Sequence, residues 1–502
     1  MADIHLEIQC KPYSRFSYIN STLAPTCILF VCIVILIIFS TSKAIPSPRP
    51  VVWGTEAAIT FISMIFTFVI LFLVNRNKRR YLGEADRGNV SLNIKLVFLW
   101  LFGLTSVFNS GLNMTINIDC LIHGGPQPFP FEQIISILCH TTEILFCIGQ
   151  LGFLSIYGKY RFKSSTLINY SLSFMVIAHL LRWCRDFFDS IIKESMTSPY
   201  NKTNDCFFTS HISFIREKFH PYIGQIMTEF CLLSVVVAIR MFVMFNNVSG
   251  KETRQPSTHQ VEPSSITSWE TCPMQRCSTS VFVSIMSGIL LSIPLMITKF
   301  LNNSNVLEFS SISRVISITY NLEVLLLLCF AYIRFTTRFH ETRNRQAMET
   351  THRPVLIFVT AGSMAYTTFG CIAGIMSSYQ LLGRILLVDN ICQSVVILFQ
   401  TMLILHVQTF CLKDAYVHVT GTSVHNTFLC IFVMNTIYWI LSAFSFGESD
   451  NLGVIQVGLY GKKYWGVILQ TLFPIVLFYR FITSIEMYEL YRKTIVHSQR
   501  AI

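Results

Sequence analysis

The feature that most constrains this chain is the recurrence, from end to end, of apolar runs near 20 residues long. A helix needs about 20 predominantly apolar residues to cross a bilayer, and a soluble core helix rarely runs so far unbroken. Such runs fall at 22–40, 53–74, 93–112, 131–157, 166–188, 219–245, 280–300, 312–334, 354–377, 386–410, 425–446 and 463–490. Composition agrees: only 13% of residues are charged, where a soluble chain carries about a quarter. The expected fold class is an all-α polytopic membrane protein of about 12 transmembrane helices. No basic start followed by an apolar core marks a signal peptide in the first residues, so the first span serves as the insertion signal.

The net charge of +11 does not point to nucleic acid, because the basic residues sit in short loops between apolar runs. The loop 75–92 holds Arg76, Lys78, Arg79, Arg80 and Arg87; the loop 158–165 holds Lys159, Arg161 and Lys163; the loop 335–353 holds Arg338, Arg343 and Arg345. The alternate loops are poorer in Lys and Arg and carry the glycosylation acceptors Asn113-Met-Thr, Asn201-Lys-Thr and Asn302-Asn-Ser. Basic loops face the cytoplasm and acceptors face outside, so both termini are expected to be cytoplasmic. The sequence divides into a cytoplasmic N-terminus (1–21), a six-helix half (22–245), a polar cytoplasmic linker (246–279), a second six-helix half (280–492) and a short cytoplasmic tail (493–502). Cys120 and Cys206 are the candidates for a disulfide. Cys272 and Cys277 are too isolated to argue for zinc; no metal and no cofactor are expected.

The two halves carry matching marks. His179-Leu-Leu-Arg-Trp183 in the fifth span and Asn435-Thr-Ile-Tyr-Trp439 in the eleventh each place a polar residue four before a Trp. Glu143 and Gln150 in the fourth span, and Gln393 and Gln400 in the tenth, each lie seven apart. A six-span unit used twice in parallel orientation explains both, a pattern known among transporters.

Within the spans lie polar residues that lipid penalises. A charge at mid-bilayer costs on the order of 2.5–3.5 kcal/mol by insertion scales, so these groups must face protein or water. His140, Glu143, Cys147 and Gln150 form one helical stripe, as do His179, Arg182 and Asp186, and Tyr222, Gln225 and Glu229. Asp389, Gln393 and Gln400 share the tenth span, Asn435, Tyr438 and Ser442 the eleventh, and Arg480 and Glu489 the twelfth. Gln and Asn at such sites serve either as helix-to-helix bonds or as stations on an ion route. Arg182 and Arg185 are expected to pair with Asp186 or lipid phosphate, and His140 to be solvated near a span end. A wide ion pore needs rings of charge or carbonyls, and no glycine-rich filter appears. A proton needs only titratable groups, hydroxyls and amides bridged by a few waters, and Glu, His, Tyr, Gln and Asn supply those. No nucleotide-binding, kinase or metalloprotease motif is present, so no enzymatic activity is expected.

Several motifs fall in order as they do in the otopetrin family of proton channels. They are Lys95, Phe102-Gly103 and Ser106; Phe146 and Gln150; Tyr222 and Glu229; Tyr366 and Phe369; Gln393 and Gln400-Thr401; Asn435 and Trp439; and, most specific, Tyr460-Gly461, Trp465, Pro474, Phe478-Tyr479-Arg480-Phe481 and Glu489. The resemblance covers roughly residues 93–230 and 354–490. It departs from the family at His179 (usually Asn), Gln225 (usually Pro) and Ile482-Thr483 (usually His-Ser), so the chain resembles a divergent member.

The resemblance implies two six-helix barrels per chain and a homodimer whose central axis is filled by membrane lipid, sterol among the candidates. It also implies a plasma-membrane location and proton conduction opened by extracellular acid. The expected proton pathway comprises Glu143, Gln150, His179 and Glu229 in the first half and Gln400, Asn435 and Tyr438 in the second. Arg480 and Glu489 are expected as structural clamps to a carboxylate or helix end. His123, His211, His220 and Glu448 are the candidate acid sensors, since external His titrates in the right range. The alternative function is a proton-coupled secondary transporter of a small solute, which twelve spans with repeats suit equally on architecture. A receptor or scaffold is disfavoured by the short loops and the many inward polar stripes.

Overall fold

The computed structural model describes residues 15–41, 49–85, 90–123, 130–163, 165–195, 211–242, 278–301, 307–338, 353–409, 422–444 and 453–500. These form α1 (Arg15–Thr41), α2 (Arg49–Arg76), α3 (Lys78–Tyr81), β1 (Leu82–Ala85), α4 (Val90–His123), α5 (Pro130–Tyr157), β2 (Tyr160–Phe162), α6 (Thr166–Ser195) and α7 (His211–Met241). They continue with α8 (Ser278–Leu301), α9 (Leu307–Arg338), α10 (Arg353–Met376), α11 (Leu381–Thr409), α12 (Thr422–Phe444), α13 (Val454–Tyr460) and α14 (Lys462–Arg500). Each expected span falls on one long helix. Ten of these helices are long and apolar enough to cross a membrane. The remaining two are α1, whose apolar stretch Ala24–Ile38 is shorter, and α7, whose first third carries Arg216, Glu217 and Lys218. The chain is a multi-pass membrane protein. Of the expected linker 246–279, residues 246–277 lie outside the described residues, as do the acceptors Asn201 and Asn302; Asn113, expected in a loop, lies within α4.

The spanning segments are helical because a backbone in lipid must satisfy its own hydrogen bonds. The distribution of side chains follows the same logic. Outward positions such as Phe68, Phe72, Leu101, Phe282, Leu326 and Met402 are exposed and apolar, while Glu56, Lys95, Glu143, Arg185 and Arg480 are buried. Pro25, Pro294 and Pro474 sit inside helices, a placement that packed neighbours tolerate in membranes. One irregular connection is required locally: Gly461, at φ 80°, joins α13 to α14 in a conformation that L side chains avoid. Two basic loops meet in a short antiparallel pairing, with Leu82 opposite Phe162 and Ala85 opposite Tyr160. Their charged composition gave no strand signal.

Helix packing repeats. In the first six long helices, α1 packs on α2 and α6, α2 on α5 and α6, α4 on α5 and α7, and α6 on α7. The next six reproduce every pair in the same order: α8 on α9 and α12, α9 on α11 and α12, α10 on α11 and α14, and α12 on α14, with α11 on α14 in addition. Each set closes a ring, α1–α6–α7–α4–α5–α2 and α8–α12–α14–α10–α11–α9, braced across by α2·α6 and α9·α12. The rings meet where α14 lies against α4, α6 and α7, and α12 against α7.

That seam is held by charge and aromatics. Lys95 of α4 pairs with Glu486 of α14 at 2.9 Å, both buried, and Gln408 donates to the second Glu486 oxygen at 2.9 Å. Phe98 and Phe102 of α4 pack on Trp439 of α12 and Phe481 of α14, with ring centroids 5.0–6.1 Å apart. Since Lys95 opens α4 and Glu486 lies late in α14, the end of α4 and the start of α14 share one face of the bundle. We call it the entry face.

Close helix approach uses glycine. A Cβ on Gly374 of α10 would lie 2.8 Å from the Leu387 backbone of α11, whereas one on Gly152 meets nothing within 4 Å. Small residues at such contacts let helices approach in lipid. Gly374→Val should therefore destabilise by about 1–3 kcal/mol through overpacking, and Gly152→Val should be nearly neutral. Thermal unfolding of the two purified variants in one detergent separates them; equal behaviour would refute the close-approach argument.

Candidate functional site

The first ring encloses an ion network near its entry face. Glu56 enters from the start of α2, Cys139, His140 and Glu143 from the first half of α5, Ser110 from α4, and Arg182 and Arg185 from α6. Arg185 Nη1 lies between the two carboxylates, 2.6 Å from Glu56 Oε2 and hydrogen-bonded to Glu143 Oε1. Glu143 Oε2 accepts from Ser110 at 2.7 Å, faces His140 Nδ1 at 3.0 Å and pairs with Arg182 at 3.5 Å. Charge-assisted bonds of this kind are about twice as strong as neutral ones. Two Glu and two Arg make the cluster neutral when all four are ionised. Glu56, Cys139 and Glu143 come close enough to ligate a metal, but the Arg185 guanidinium already occupies the place between the carboxylates. Arg182 and Arg185 both turn inward to the carboxylates of the ring; the other expected partner, Asp186, has its side chain outside the described residues. His140 is buried at 7% exposure rather than solvated, since Glu143 holds its ring.

Seven residues further along α5, about 10 Å deeper, Gln150 Oε1 meets His179 Nε2 at 2.6 Å. The imidazole sits between Phe146 at 5.3 Å and Phe230 at 5.4 Å. Among the described residues, buried Gln150 Nε2 and His179 Nδ1 have no hydrogen-bond partner. Glu229 of α7 lies at the seam: Oε1 accepts from Trp439 Nε1 of α12 at 2.6 Å, and Oε2 has no partner.

The second ring is built differently on the same frame. At the entry face it encloses a cavity of about 310 Å³ lined by residues of α8 to α14. Asp389 accepts from Ser317 at 3.0 Å and Gln393 at 3.3 Å and pairs with Arg314 at 3.8 Å. The floor carries Tyr438 and Arg480, with the guanidinium carbon 4.6 Å above the Tyr438 ring. Tyr438 stacks on Tyr320, whose hydroxyl donates to the Met434 carbonyl at 2.7 Å. Gln400 and Asn435 are fully buried, and none of their four amide atoms finds a partner among the described residues. Buried polar atoms that protein leaves unsatisfied are where internal water binds. Thr401, beside Gln400, instead joins a hydroxyl chain with Thr360 and Tyr479, both at 3.1 Å.

The structure thus brings Gln150 to His179, and Tyr438 to Arg480, while Gln400 and Asn435 stay unbonded. Arg480 was expected to clamp a carboxylate or helix end; among the described residues its side chain stacks on Tyr438 and no carboxylate pairs with it. Glu489 pairs with Lys493 at 2.7 Å, a local contact one helical turn away. His211 and His220 fall in α7 and His123 ends α4, but their side chains lie outside the described residues, as do Glu448 and the side chains of Tyr222 and Gln225. Cys120 is disulfide-bonded; its proposed partner Cys206 is also outside them. Sequence reasoning passed over Glu56, Arg314 and Glu486. A lone carboxylate in the apolar second span was a usable signal for Glu56.

Replacing Arg185 by Gln leaves two buried carboxylates with too little positive charge, and breaking a buried pair costs about 3–5 kcal/mol. Adding Glu56→Gln removes the surplus and should recover most of that loss. Thermal stability of the single and double variants is the check; a single variant as stable as the parent would show that the charge pairing is not structural.

Compared with known protein families, residues 186–481 match the family described as Otopetrin, a match that includes α14 up to Phe481 and all of the second ring before it. A comparison with curated proteins returned no match. The family is one of membrane proton channels rather than enzymes. With more than half of its length under that match, the chain belongs to the otopetrin family.

Proposed function

We propose that this protein is a proton-selective channel of the plasma membrane that conducts H⁺ down its gradient and opens in extracellular acid. The observation that carries the reading is the string of buried polar groups with atoms left unbonded among the described residues: Gln150 and His179 in the first ring, Gln400 and Asn435 in the second, and Glu229 between them; Glu143 and Tyr438 lie on the same stripes toward the entry face. Such groups are retained in a membrane interior where they serve a proton or ion route. The distribution of basic loops supports an entry face turned outward and both termini in the cytoplasm; on that orientation the cavity of the second ring is an extracellular vestibule. Two chains form a homodimer, with lipid, sterol among the candidates, on the axis between them. Glu229 takes up and releases protons at the seam. Gln150 with His179, and Gln400 with Asn435, are the constrictions, the second bridged by water. His123, His211, His220 and Glu448 are the candidate external sensors.

A second reading, a proton-coupled transporter of a small solute, has one observation behind it: the second ring's cavity is large enough for a small ligand. Whole-cell current decides between the two. Stepping external pH from neutral to about 5, through the range where His titrates, should evoke an inward current whose reversal follows the proton gradient. Protein at the surface with no current, but with saturable solute uptake, would transfer the function to the transporter.

Within the channel reading, Glu229→Gln should lower current on the order of tenfold or more, as loss of a positioned proton-transfer group does. Gln400→Leu and Asn435→Leu should do likewise if the second ring conducts. Normal current from surface-expressed Glu229→Gln removes that carboxylate from the mechanism.

A further inference from the structure

The face of the first ring opposite the entry face carries a dense positive patch on a fixed frame. There the connection from α2 to α4 pairs with the connection from α5 to α6, as β1 and β2. The Lys163 amide donates to the Tyr81 carbonyl, and Lys163 Nζ to the Arg79 carbonyl, both at 2.8 Å. Phe162 anchors the ribbon: it is buried and stacks on Phe153 of α5 at 6.1 Å. Alternation along the strand turns its neighbours Arg161 and Lys163 the other way. Both are exposed, as are Lys78, Arg79, Arg80 and Lys159. Counted over every residue, the two connections, 77–89 and 158–165, hold seven basic residues and two acidic ones. The other segments expected on that face do not offset them, since 1–21 and 246–279 each hold as many Lys and Arg as Asp and Glu. The matching connections of the second ring balance: two Arg with two Glu in 339–352, and Lys413 with Asp414 in 410–421. Orientation asks only for basic residues near the cytoplasmic ends of spans; it does not ask for two connections to be joined into one cationic ribbon.

We infer that this ribbon docks the headgroup of an inner-leaflet lipid that carries several phosphate groups, a polyphosphoinositide. Position selects a lipid: both strands begin within a few residues of the ends of α2 and α5, which puts their cations at headgroup level. Charge density selects the headgroup. A singly charged phosphatidylserine leaves most of the cations unmatched, whereas several phosphates on one ring match several at once. Clusters of about four to eight Lys and Arg on the cytoplasmic side of a span bind such lipids. Tyr81 and Tyr160 are half-buried, with Arg80 and Lys159 over their rings at 5.7 and 5.5 Å, and amphipathic rings of this kind favour the membrane interface. The site rests on the orientation proposed above and is independent of whether protons are conducted.

The test uses the purified full-length protein in detergent at constant pH and ionic strength. Binding of fluorescent short-chain phosphatidylinositol bisphosphate is read by anisotropy, with unlabelled short-chain phosphatidylserine and soluble inositol trisphosphate as competitors. Saturable binding is expected, with phosphatidylserine competing at least tenfold more weakly than the unlabelled phosphoinositide. The triple variant Lys78→Gln, Arg79→Gln and Arg80→Gln should weaken binding on the order of tenfold or more. These side chains are exposed, and surface substitutions of this kind leave stability nearly unchanged. Arg343→Gln with Arg345→Gln, in the balanced connection of the second ring, should leave binding as it is. Gly83→Val keeps every charge but sets a Cβ 2.7 Å from the Arg161 carbonyl oxygen, so it should part the strands and weaken binding as well. No saturable binding overturns the site and leaves proton conduction untouched. Binding unchanged in the triple variant or in Gly83→Val, or lost equally in the second-ring control, overturns it too. Inositol trisphosphate competing as well as the lipid overturns the lipid as occupant and assigns the ribbon to a free phosphate.

Discussion

The cost of an unpaired charge in a dry interior governs this structure. Helices in lipid gain little from hiding apolar surface, because the solvent is itself apolar. What distinguishes inside from outside is which groups need a partner. Glu56, Glu143, Arg182 and Arg185 can be buried only together, and burying them together requires α2, α5 and α6 to converge near one face of the first ring. Lys95 and Glu486 can be buried only against each other, and that requires α14 of the second ring to lie along α4 of the first. The rings and the seam between them are therefore held in register by electrostatics, while the aromatic cluster of Phe98, Phe102, Trp439 and Phe481 fills the space those pairs define.

Two rings with the same helix pairings have come to differ inside. At matched positions the first has His179 and Gln150, the second Asn435 and Gln400. The imidazole is long enough to reach its amide at 2.6 Å and is wedged between two phenylalanines. The shorter Asn435 side chain makes no such bond, and all four amide atoms of that level find no partner among the described residues. Above it the second ring opens into a cavity, while the corresponding level of the first is filled by the Glu–Arg network. At the level of these amides the first ring is closed by a side-chain bond and the second is not.

Much of the fold was legible in the sequence because lipid demands long apolar runs, and each of the twelve fell on a helix. The polar stripes of the fourth and fifth spans were legible too, since helical spacing alone puts Glu143 and Gln150 on one face. What could not be read was pairing. Arg185 looked equally suited to Asp186, its neighbour in sequence, or to a lipid phosphate; only the convergence of α2 and α5 decides for Glu56 and Glu143. Glu486 gave no sign of Lys95, because the two are 391 positions apart. Arg480 was read as a clamp because buried arginines usually find a carboxylate, and the cavity beside it has no signature in a linear sequence. The pairing of β1 with β2 was hidden by charged loop composition for the same reason: its stability is tertiary.

The seam explains why Glu229 matters beyond its own ring. Its carboxylate bonds directly across the halves, through Trp439. Trp439 in turn packs on Phe98, Phe102 and Phe481, one set of rings shared by α4, α12 and α14. Toward the far face α4, α14 and α11 are pinned by Lys95, Glu486 and Gln408. A rotation of one ring against the other must therefore break either the buried ion pair or the Trp439 hydrogen bond, and the latter is much the cheaper. Protonation of Glu229 weakens that hydrogen bond by removing the charge that strengthens it. In the channel reading proposed above, a proton arriving at the seam would be coupled through this one side chain to the contact between the two rings.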